Sequence, residues 1–159
     1  LLLHYARRLR SKKKPGLVLR SRATSPAGAG LGGSSALNIA LTGALSAWAR
    51  DRLAPEDLIA VSRDIETGIL KGPAGLQDYY GATFGGLQAI HWGVSTHRRV
   101  VFSEAIRKGL DQRLLLFYSG QSRNSGINNW ALFKGYLDED LAIQKKFEGI
   151  TQATQKLSE

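Results

Sequence analysis

Cysteine and methionine are both absent from this chain of 159 residues. Without cysteine there is no disulfide framework, no thiolate nucleophile and no cysteine-based zinc or iron–sulfur site. No uninterrupted apolar run approaches the roughly 20 residues that a membrane-spanning helix needs. The composition, with 43% hydrophobic residues, is that of a globular protein. We therefore expect a soluble, cytoplasmic protein with one hydrophobic core.

Acidic residues are missing from the first fifty positions, which hold nine Lys and Arg residues. Those nine account for the net charge of +9, because the remaining bases and acids balance at 13 each. The basic run from Arg7 to Lys14 could in principle bind nucleic acid through phosphate contacts. However, no aromatic side chains interleave with it as a stacking platform requires, and Pro15-Gly16 is a helix stop. We interpret the run as the solvated end of a helix and do not expect a nucleic-acid partner.

Apolar periodicity and turn residues predict alternating helices and strands, which indicates an α/β fold class. The helix after the glycine-rich segment is apolar nearly all round, so we expect it to be buried. The predicted helices are Leu1–Lys12, Ser34–Arg50, Pro55 to Gly72, Asn128–Leu137 and Glu139–Leu157, and the predicted strands are Leu17–Ala23, Leu87–Trp92, Arg99–Phe102 and Arg113–Tyr118.

A glycine-rich segment lies between a predicted strand and a predicted helix: Pro26-Ala27-Gly28-Ala29-Gly30-Leu31-Gly32-Gly33-Ser34-Ser35-Ala36. Glycines let backbone N–H groups converge on an anion, and a helix start adds unpaired donors and the positive end of the helix dipole. A tight structural turn explains one or two glycines, but not four in six positions followed by paired hydroxyls. The segment therefore predicts a phosphate site.

Two common nucleotide-binding loops do not fit this segment. A P-loop has lysine and then Ser or Thr after its last glycine, whereas here Ser34 follows Gly33 directly. The Rossmann string is present as Gly28, Gly30 and Gly33, but no strand ending in an acid follows the helix. We therefore do not expect a dinucleotide site.

Phosphoryl transfer also calls for separate carboxylates, one for a metal ion and one near the acceptor hydroxyl. The candidates are Glu66 on the second predicted helix and Asp78 in Gly75-Leu76-Gln77-Asp78. From the residues alone, Glu66 could equally be a surface acid and Asp78 a helix N-cap.

The glycine-rich segment resembles the phosphate loop P-x-x-x-G-L-G-S-S-A of the GHMP kinases, which comprise galactokinase, homoserine kinase, mevalonate kinase and phosphomevalonate kinase. Gly33 stands in place of the first serine, and the interval from Glu66 to Asp78 is similar to that of the family. The resemblance implies an ATP- and Mg²⁺-dependent small-molecule kinase. In such a kinase Ser34 and Glu66 bind Mg²⁺, and Asp78 contacts the acceptor hydroxyl as a general base or orienting group. The ATP phosphates are then bound by Gly28, Gly30, Gly32, Gly33, Ser34 and Ser35.

Two longer strings, Pro73 to Leu87 and Gly120 to Trp130, resemble the branch of D-glycero-D-manno-heptose 7-phosphate kinases and fucokinase-like sugar kinases. This resemblance implies a sugar or sugar phosphate as acceptor, with heptose 7-phosphate as the first choice and Arg123 as a contact to the substrate phosphate. Kinases for galactose, fucose or a mevalonate-type acid stay open. A truncated, inactive module that binds nucleotide or nucleic acid also stays open.

The same resemblance implies an architecture. We expect an incomplete GHMP kinase N-terminal domain over residues 1–120, with a mixed sheet like that of ribosomal protein S5 domain 2 and helices on one face. Residues 121–159 are then the start of a ferredoxin-like C-terminal domain. The family's first and last motifs have no counterparts, so we expect a central fragment of a longer protein. Whether it forms a homo-oligomer stays open.

Overall fold

Three helices carry most of the hydrophobic core. The computed structural model describes residues 17–122 and 126–158. Within it α1 (Gly33–Ala49), α2 (Pro55–Leu70) and α3 (Gln77–Phe84) contact one another pairwise. The first two helices confirm the predicted helices at these positions. Helix α2 begins as its sequence predicts, with Pro55 in the first turn, where a missing N–H is harmless, and acids that face the positive end of the dipole.

The core lies where the three helices meet. Ile39 of α1, Ile59 of α2 and the adjacent Tyr79 and Tyr80 of α3 form one buried cluster. Partly buried apolar side chains surround it: Leu58, Leu76, Phe84 and Ile90. Because all three helices contribute, the cluster fixes how α2 and α3 approach the start of α1.

Helix α1 is buried along one side only. Ile39, Leu45 and Ala49 are buried, whereas Leu37 and Ala40 are exposed. The expectation that the whole helix is buried is therefore wrong for the described structure. The reason is geometric: α2 and α3 both pack on the same side, and two neighbours cannot cover the full circumference of a helix.

A β-hairpin follows the helices. Strands β1 (Gln88–Trp92) and β2 (His97–Val101) pair antiparallel, with Gln88 opposite Val101 and Trp92 opposite His97. Ile90 packs against the helical core, so the helices lie on one face of the hairpin, and the expected α/β class is confirmed. The expected mixed sheet is not seen among the described residues, whose only sheet is this antiparallel pair.

Tyr80 joins the hairpin to α3. Its hydroxyl lies 2.8 Å from Nε2 of His97, and its ring meets the rings of His97 and Trp92 edge-on at centroid distances of 4.9 and 5.6 Å. Burial raises the pKa of the Tyr80 phenol, Glu56 raises it further and Arg99 opposes the shift. The hydroxyl therefore stays protonated at neutral pH and remains able to donate.

Two predicted strands are wrong. Residues 17–23 and 113–118 form no strand, and the side chains from Leu114 to Tyr118 are exposed. Their apolar, extended sequences satisfy local strand patterns, but a strand also needs a neighbour for its backbone N–H and C=O groups. Neither segment has such a neighbour within the described residues.

The helices predicted from the sequence include neither α3 nor the short helix α4 (Glu104–Asp111). The Ser103 hydroxyl accepts a hydrogen bond from the N–H of Ile106, which caps the helix. Arg107 pairs with both Glu104 and Asp111 at 2.6 Å, so neighbours three and four positions apart stabilise one another. The Arg107 guanidinium also holds the pKa of Glu104 below its usual value. Helix α4 buries no side chain, although Ile106 and Leu110 have the helical spacing of an amphipathic helix.

The chain continues with α5 (Gly126–Leu137) and α6 (Leu141–Ser158), which confirm the two predicted C-terminal helices. They pack through Phe147, whose ring centroid lies 5.3 Å from the ring centroid of Tyr136 and 6.4 Å from that of Phe133. The expected division after residue 120 falls between α4 and α5 and stays a prediction. Among the helices of residues 17–122 and 126–158, none combines the length and apolar composition of a membrane span.

Burial in α2 predicts a large difference between two isoleucines. Ile59 is 3% exposed and Ile69 is 68% exposed on the same helix. Replacing Ile59 with alanine should lower the free energy of unfolding by about 2–5 kcal/mol, because it leaves a cavity in the core. Ile69→Ala should change it by less than about 0.5 kcal/mol, as exposed positions do. Urea unfolding of both variants checks this, and equal losses would contradict the described core.

Candidate active site

The glycine-rich loop is built from residues that alternate in backbone handedness. Gly28, Gly30 and Gly32 have φ of 70°, 75° and 66°, in the left-handed region that favours glycine. The intervening Ala29 and Leu31 do not have positive φ. Alternation of this kind turns successive N–H groups toward one concave side, which is a shape that binds anions. The predicted phosphate loop therefore has a backbone suited to that role.

The loop leads directly into the N-terminus of α1. Gly32 is the N-cap residue, and its carbonyl accepts the N–H of Ala36 at 2.9 Å to close the first turn. Within the described residues no side chain caps this helix, and its first turn holds no acid. The first N–H groups, from Gly33 onward, thus keep their capacity to bind an anion, and the helix dipole adds positive potential there.

Asp78 lies against the end of this loop. It is the second residue of α3, whose N-cap is Leu76, so the alternative role of Asp78 as an N-cap is wrong. A methyl group added at Gly32 would lie 3.1 Å from the Asp78 carboxyl carbon and from Oδ1. The Asp78 side chain is exposed. A carboxylate that binds no described partner thus stands beside the phosphate loop, open to a ligand.

Glu66 and Ser34 also come together, from α2 and α1. The Ser34 hydroxyl donates to Oε1 of Glu66 at 3.0 Å, and the other carboxylate oxygen, Oε2, accepts a hydrogen bond from the Tyr79 hydroxyl. The two residues predicted as a metal pair are 32 positions apart in the chain and in direct contact in the fold. Glu66 is half-buried and Ser34 is exposed, so the pair is accessible from the loop side.

These oxygen atoms fit a magnesium ion. Mg²⁺ prefers oxygen ligands and is usually held by one or two carboxylates together with substrate phosphates and water. The described residues contain no cluster of three or more His, Cys, Asp or Glu side chains that could hold a metal alone. One carboxylate and one hydroxyl beside a phosphate loop are too few ligands to hold a metal alone, but they suit a metal ion that binds together with a nucleotide.

Sequence reasoning missed Ser25. A methyl group added at Gly33 would lie 2.9 Å from the Ser25 hydroxyl oxygen, closer than real contacts of that kind. Ser25 therefore places a hydroxyl beside the first turn of α1, next to the position that lacks the expected serine side chain. No local sequence signal indicates this, because Ser25 lies before the loop and reaches Gly33 only through its fold.

The remaining predicted residues divide into two groups. Ser35 is buried on α1, so it offers its backbone N–H rather than its hydroxyl to the loop side. Arg123 and the basic run from Arg7 to Lys14 lie outside the described residues. The predicted helix Leu1–Lys12 lies outside them as well.

Comparison with known proteins bears on these residues. A family model described as the GHMP kinases N terminal domain matches residues 1–86, which include the glycine-rich loop, Glu66 and Asp78. The D-glycero-alpha-D-manno-heptose 7-phosphate kinase of Campylobacter jejuni subsp. jejuni serotype O:2 is 28% identical over 120 residues. That alignment covers 72% of this chain and 35% of the relative, so the chain spans about a third of its length. No solved structure matches the chain.

Gly32 should tolerate no side chain. Its φ of 66° costs an L-residue roughly 1–2 kcal/mol, and the new methyl group would press on Asp78. Gly32→Ala should therefore lower the free energy of unfolding by at least that amount. Gly68 is the matched control, since it lies within α2 with open space around it, and Gly68→Ala should stabilise by roughly 0.5–1 kcal/mol. Urea unfolding should thus show a lower free energy of unfolding for Gly32→Ala and a higher one for Gly68→Ala. A stabilised Gly32→Ala variant would contradict the loop conformation.

Proposed function

Because the chain belongs to the GHMP kinase family, we propose that it transfers the γ-phosphoryl group of ATP to a hydroxyl group of a sugar or sugar phosphate. The single observation that carries the proposal is the convergence of three elements. A glycine loop with left-handed residues leads into α1. Glu66 of α2 accepts a hydrogen bond from Ser34 of α1, and Asp78 of α3 lies against Gly32, the last left-handed glycine of the loop. Phosphate binding, metal binding and hydroxyl orientation are the three requirements of phosphoryl transfer.

The loop and the start of α1 provide the phosphate contacts. Backbone N–H groups of the alternating loop and of Gly33, Ser34 and Ser35 donate to phosphate oxygens, while the helix dipole favours the negative charge. These donors are set by the backbone and therefore need little rearrangement when the nucleotide binds. We therefore expect the loop to bind ATP without a lysine.

Ser34 and Glu66 are the protein ligands that we propose for Mg²⁺. A bound metal would supply positive charge that offsets the charge developing on the transferred phosphoryl group. The contribution of the chain is to hold one hydroxyl oxygen and one carboxylate next to the loop, at 3.0 Å from each other. Ser34 is well suited to this role, because it also presents a backbone N–H in the first turn of α1.

Asp78 is the group that we propose for the acceptor. Its exposed carboxylate beside Gly32 can accept a hydrogen bond from a substrate hydroxyl and aim its oxygen toward the phosphate loop. As the proton leaves that hydroxyl, the same carboxylate can receive it. The carboxylate therefore orients the nucleophile and offers a destination for its proton.

The acceptor that we propose is heptose 7-phosphate. The support is the similarity to a kinase named for that substrate, together with the sugar-kinase strings around Asp78 and Arg123. Arg123 is the proposed contact for the sugar phosphate, because a guanidinium matches a phosphate with two parallel hydrogen bonds. This role rests on the sequence alone.

The reaction and the acceptor are tested together. ADP release is measured with Mg²⁺-ATP and a panel of acceptors: heptose 7-phosphate, galactose, fucose and mevalonate. Turnover with heptose 7-phosphate alone is expected. Turnover with another member of the panel would support the proposed kinase activity but show that the proposed acceptor is wrong.

Absence of ADP release with every acceptor would favour a binding module instead. ATP binding that requires Mg²⁺ would then indicate a nucleotide module without transfer. Polynucleotide binding that weakens steeply with salt would indicate phosphate-backbone contacts to nucleic acid.

Asp78→Asn should lower turnover by about 10²–10⁴-fold, the range for loss of a general acid–base group. ATP affinity should be unchanged, because the loop backbone and the Ser34–Glu66 pair remain. Asp57→Asn is the matched control, since Asp57 is likewise an exposed acid in the first turn of a helix. Steady-state kinetics and ATP titration check both variants, and unchanged turnover in Asp78→Asn would refute the role.

A further inference from the structure

The Glu66 carboxylate is held from both sides. Oε1 accepts a hydrogen bond from the exposed Ser34 hydroxyl, whereas Oε2 accepts one from Tyr79 on α3. Tyr79 has no exposed surface, while Ser34 lies on the loop side. One carboxylate oxygen is therefore directed toward the phosphate loop and the other is anchored in the protein interior.

Tyr79 is itself fixed by α1. The Asn38 side-chain amide donates to the Tyr79 hydroxyl at 3.4 Å and to the backbone carbonyl of Ser62 on α2 at 2.8 Å. Asn38 Oδ1 accepts in turn from the hydroxyl of Thr42, one turn further along α1, at 3.3 Å. Because the Tyr79 hydroxyl accepts from Asn38, its own proton is directed to Glu66. The chain of hydrogen bonds thus has one direction, from Thr42 through Asn38 and Tyr79 to the carboxylate.

This arrangement restricts a side chain that is otherwise flexible. Glutamate loses considerable rotamer freedom when it is held in one orientation. The Tyr79 ring is packed in the buried cluster with Ile39 and Ile59, so its hydroxyl cannot follow a moving carboxylate. A rigid donor behind a ligand pre-orients the ligand, and outer partners of this kind affect metal affinity strongly.

We propose that Tyr79 is a positioning residue that orients Glu66 for the divalent cation, with Asn38 orienting Tyr79 in turn. The inference rests on the proposed function, because it takes Glu66 as the metal ligand. It assigns a role to a residue that does not itself reach the nucleotide or the acceptor. The adjacent residue Asp78 faces the loop, so one turn of α3 serves both the acceptor and the metal.

Tyr79→Phe is the direct test, because it removes only the hydroxyl. Binding of Mn²⁺ in the presence of ATP is followed by electron paramagnetic resonance, which reports the metal without requiring turnover. The expected result is a loss of Mn²⁺ affinity of about 10–100-fold. ATP affinity in EDTA should not change, because the loop is intact.

Tyr80→Phe is the matched control. Tyr80 is the next residue of α3 and is also buried, at 5% exposure, but its hydroxyl faces His97 in the hairpin. Its Mn²⁺ affinity should equal that of the unchanged protein. Equal losses in both variants would assign Tyr79 a structural role only and overturn the proposal, as would an unchanged affinity in Tyr79→Phe.

Two further variants complete the design. If urea unfolding shows that Tyr79→Phe is not folded, Asn38→Ala tests the same series of hydrogen bonds at the residue before Tyr79. This variant should also weaken Mn²⁺ binding. Unchanged binding in a folded Asn38→Ala variant would then overturn the proposal. Glu66→Gln separates the two levels of inference. Metal binding that survives Glu66→Gln refutes the metal site itself, whereas binding lost in Glu66→Gln but kept in Tyr79→Phe refutes only the positioning role.

Discussion

The burial of Tyr79 is the interaction on which the rest of the structure depends. Its ring lies in the same cluster as Ile39 of α1 and Ile59 of α2, and its hydroxyl needs a polar partner because a buried phenol without one is costly. That partner is Glu66, at the edge of the phosphate loop. The packing that stabilises the three helices therefore also determines where the carboxylate lies. Stability and site geometry share one side chain, and a change in either affects the other.

Helices α1, α2, α5 and α6 and the hairpin could be predicted from the sequence because local signals mark them. Pro55 and the following acids begin α2, and the turn around Gly93 closes the hairpin, where its N–H donates to the Thr96 carbonyl at 2.7 Å. The segments 17–23 and 113–118 have the same local appearance but form no strand, because pairing depends on a neighbour that local sequence does not specify. Helix α4 shows that a short amphipathic pattern is easily overlooked, since Ile106 and Leu110 lie one turn apart on a helix that is stabilised by its cap and by ion pairs.

The candidate site likewise has parts that local sequence predicts and parts that depend on tertiary contacts. Its glycine loop, Glu66 and Asp78 could be selected from the sequence, because glycine spacing and carboxylates can be identified there directly. The contact of Ser34 with Glu66 could not be predicted from spacing, since it depends on how α1 crosses α2. Nor could the role of Tyr79, because a tyrosine next to an aspartate is most simply a core residue. The roles of these residues in catalysis stay predictions.

The closeness of Ser25 and Gly33 has a consequence for how this loop can evolve. The Ser25 hydroxyl lies beside the first turn of α1, where a side chain at position 33 would also lie. A serine at position 33 would force the Ser25 hydroxyl to rotate away, so the effects of substitutions at these two positions are coupled. Correlated substitution of the two positions is therefore expected among descendants of a common ancestor, although eight positions separate them and Ser25 lies outside the loop motif.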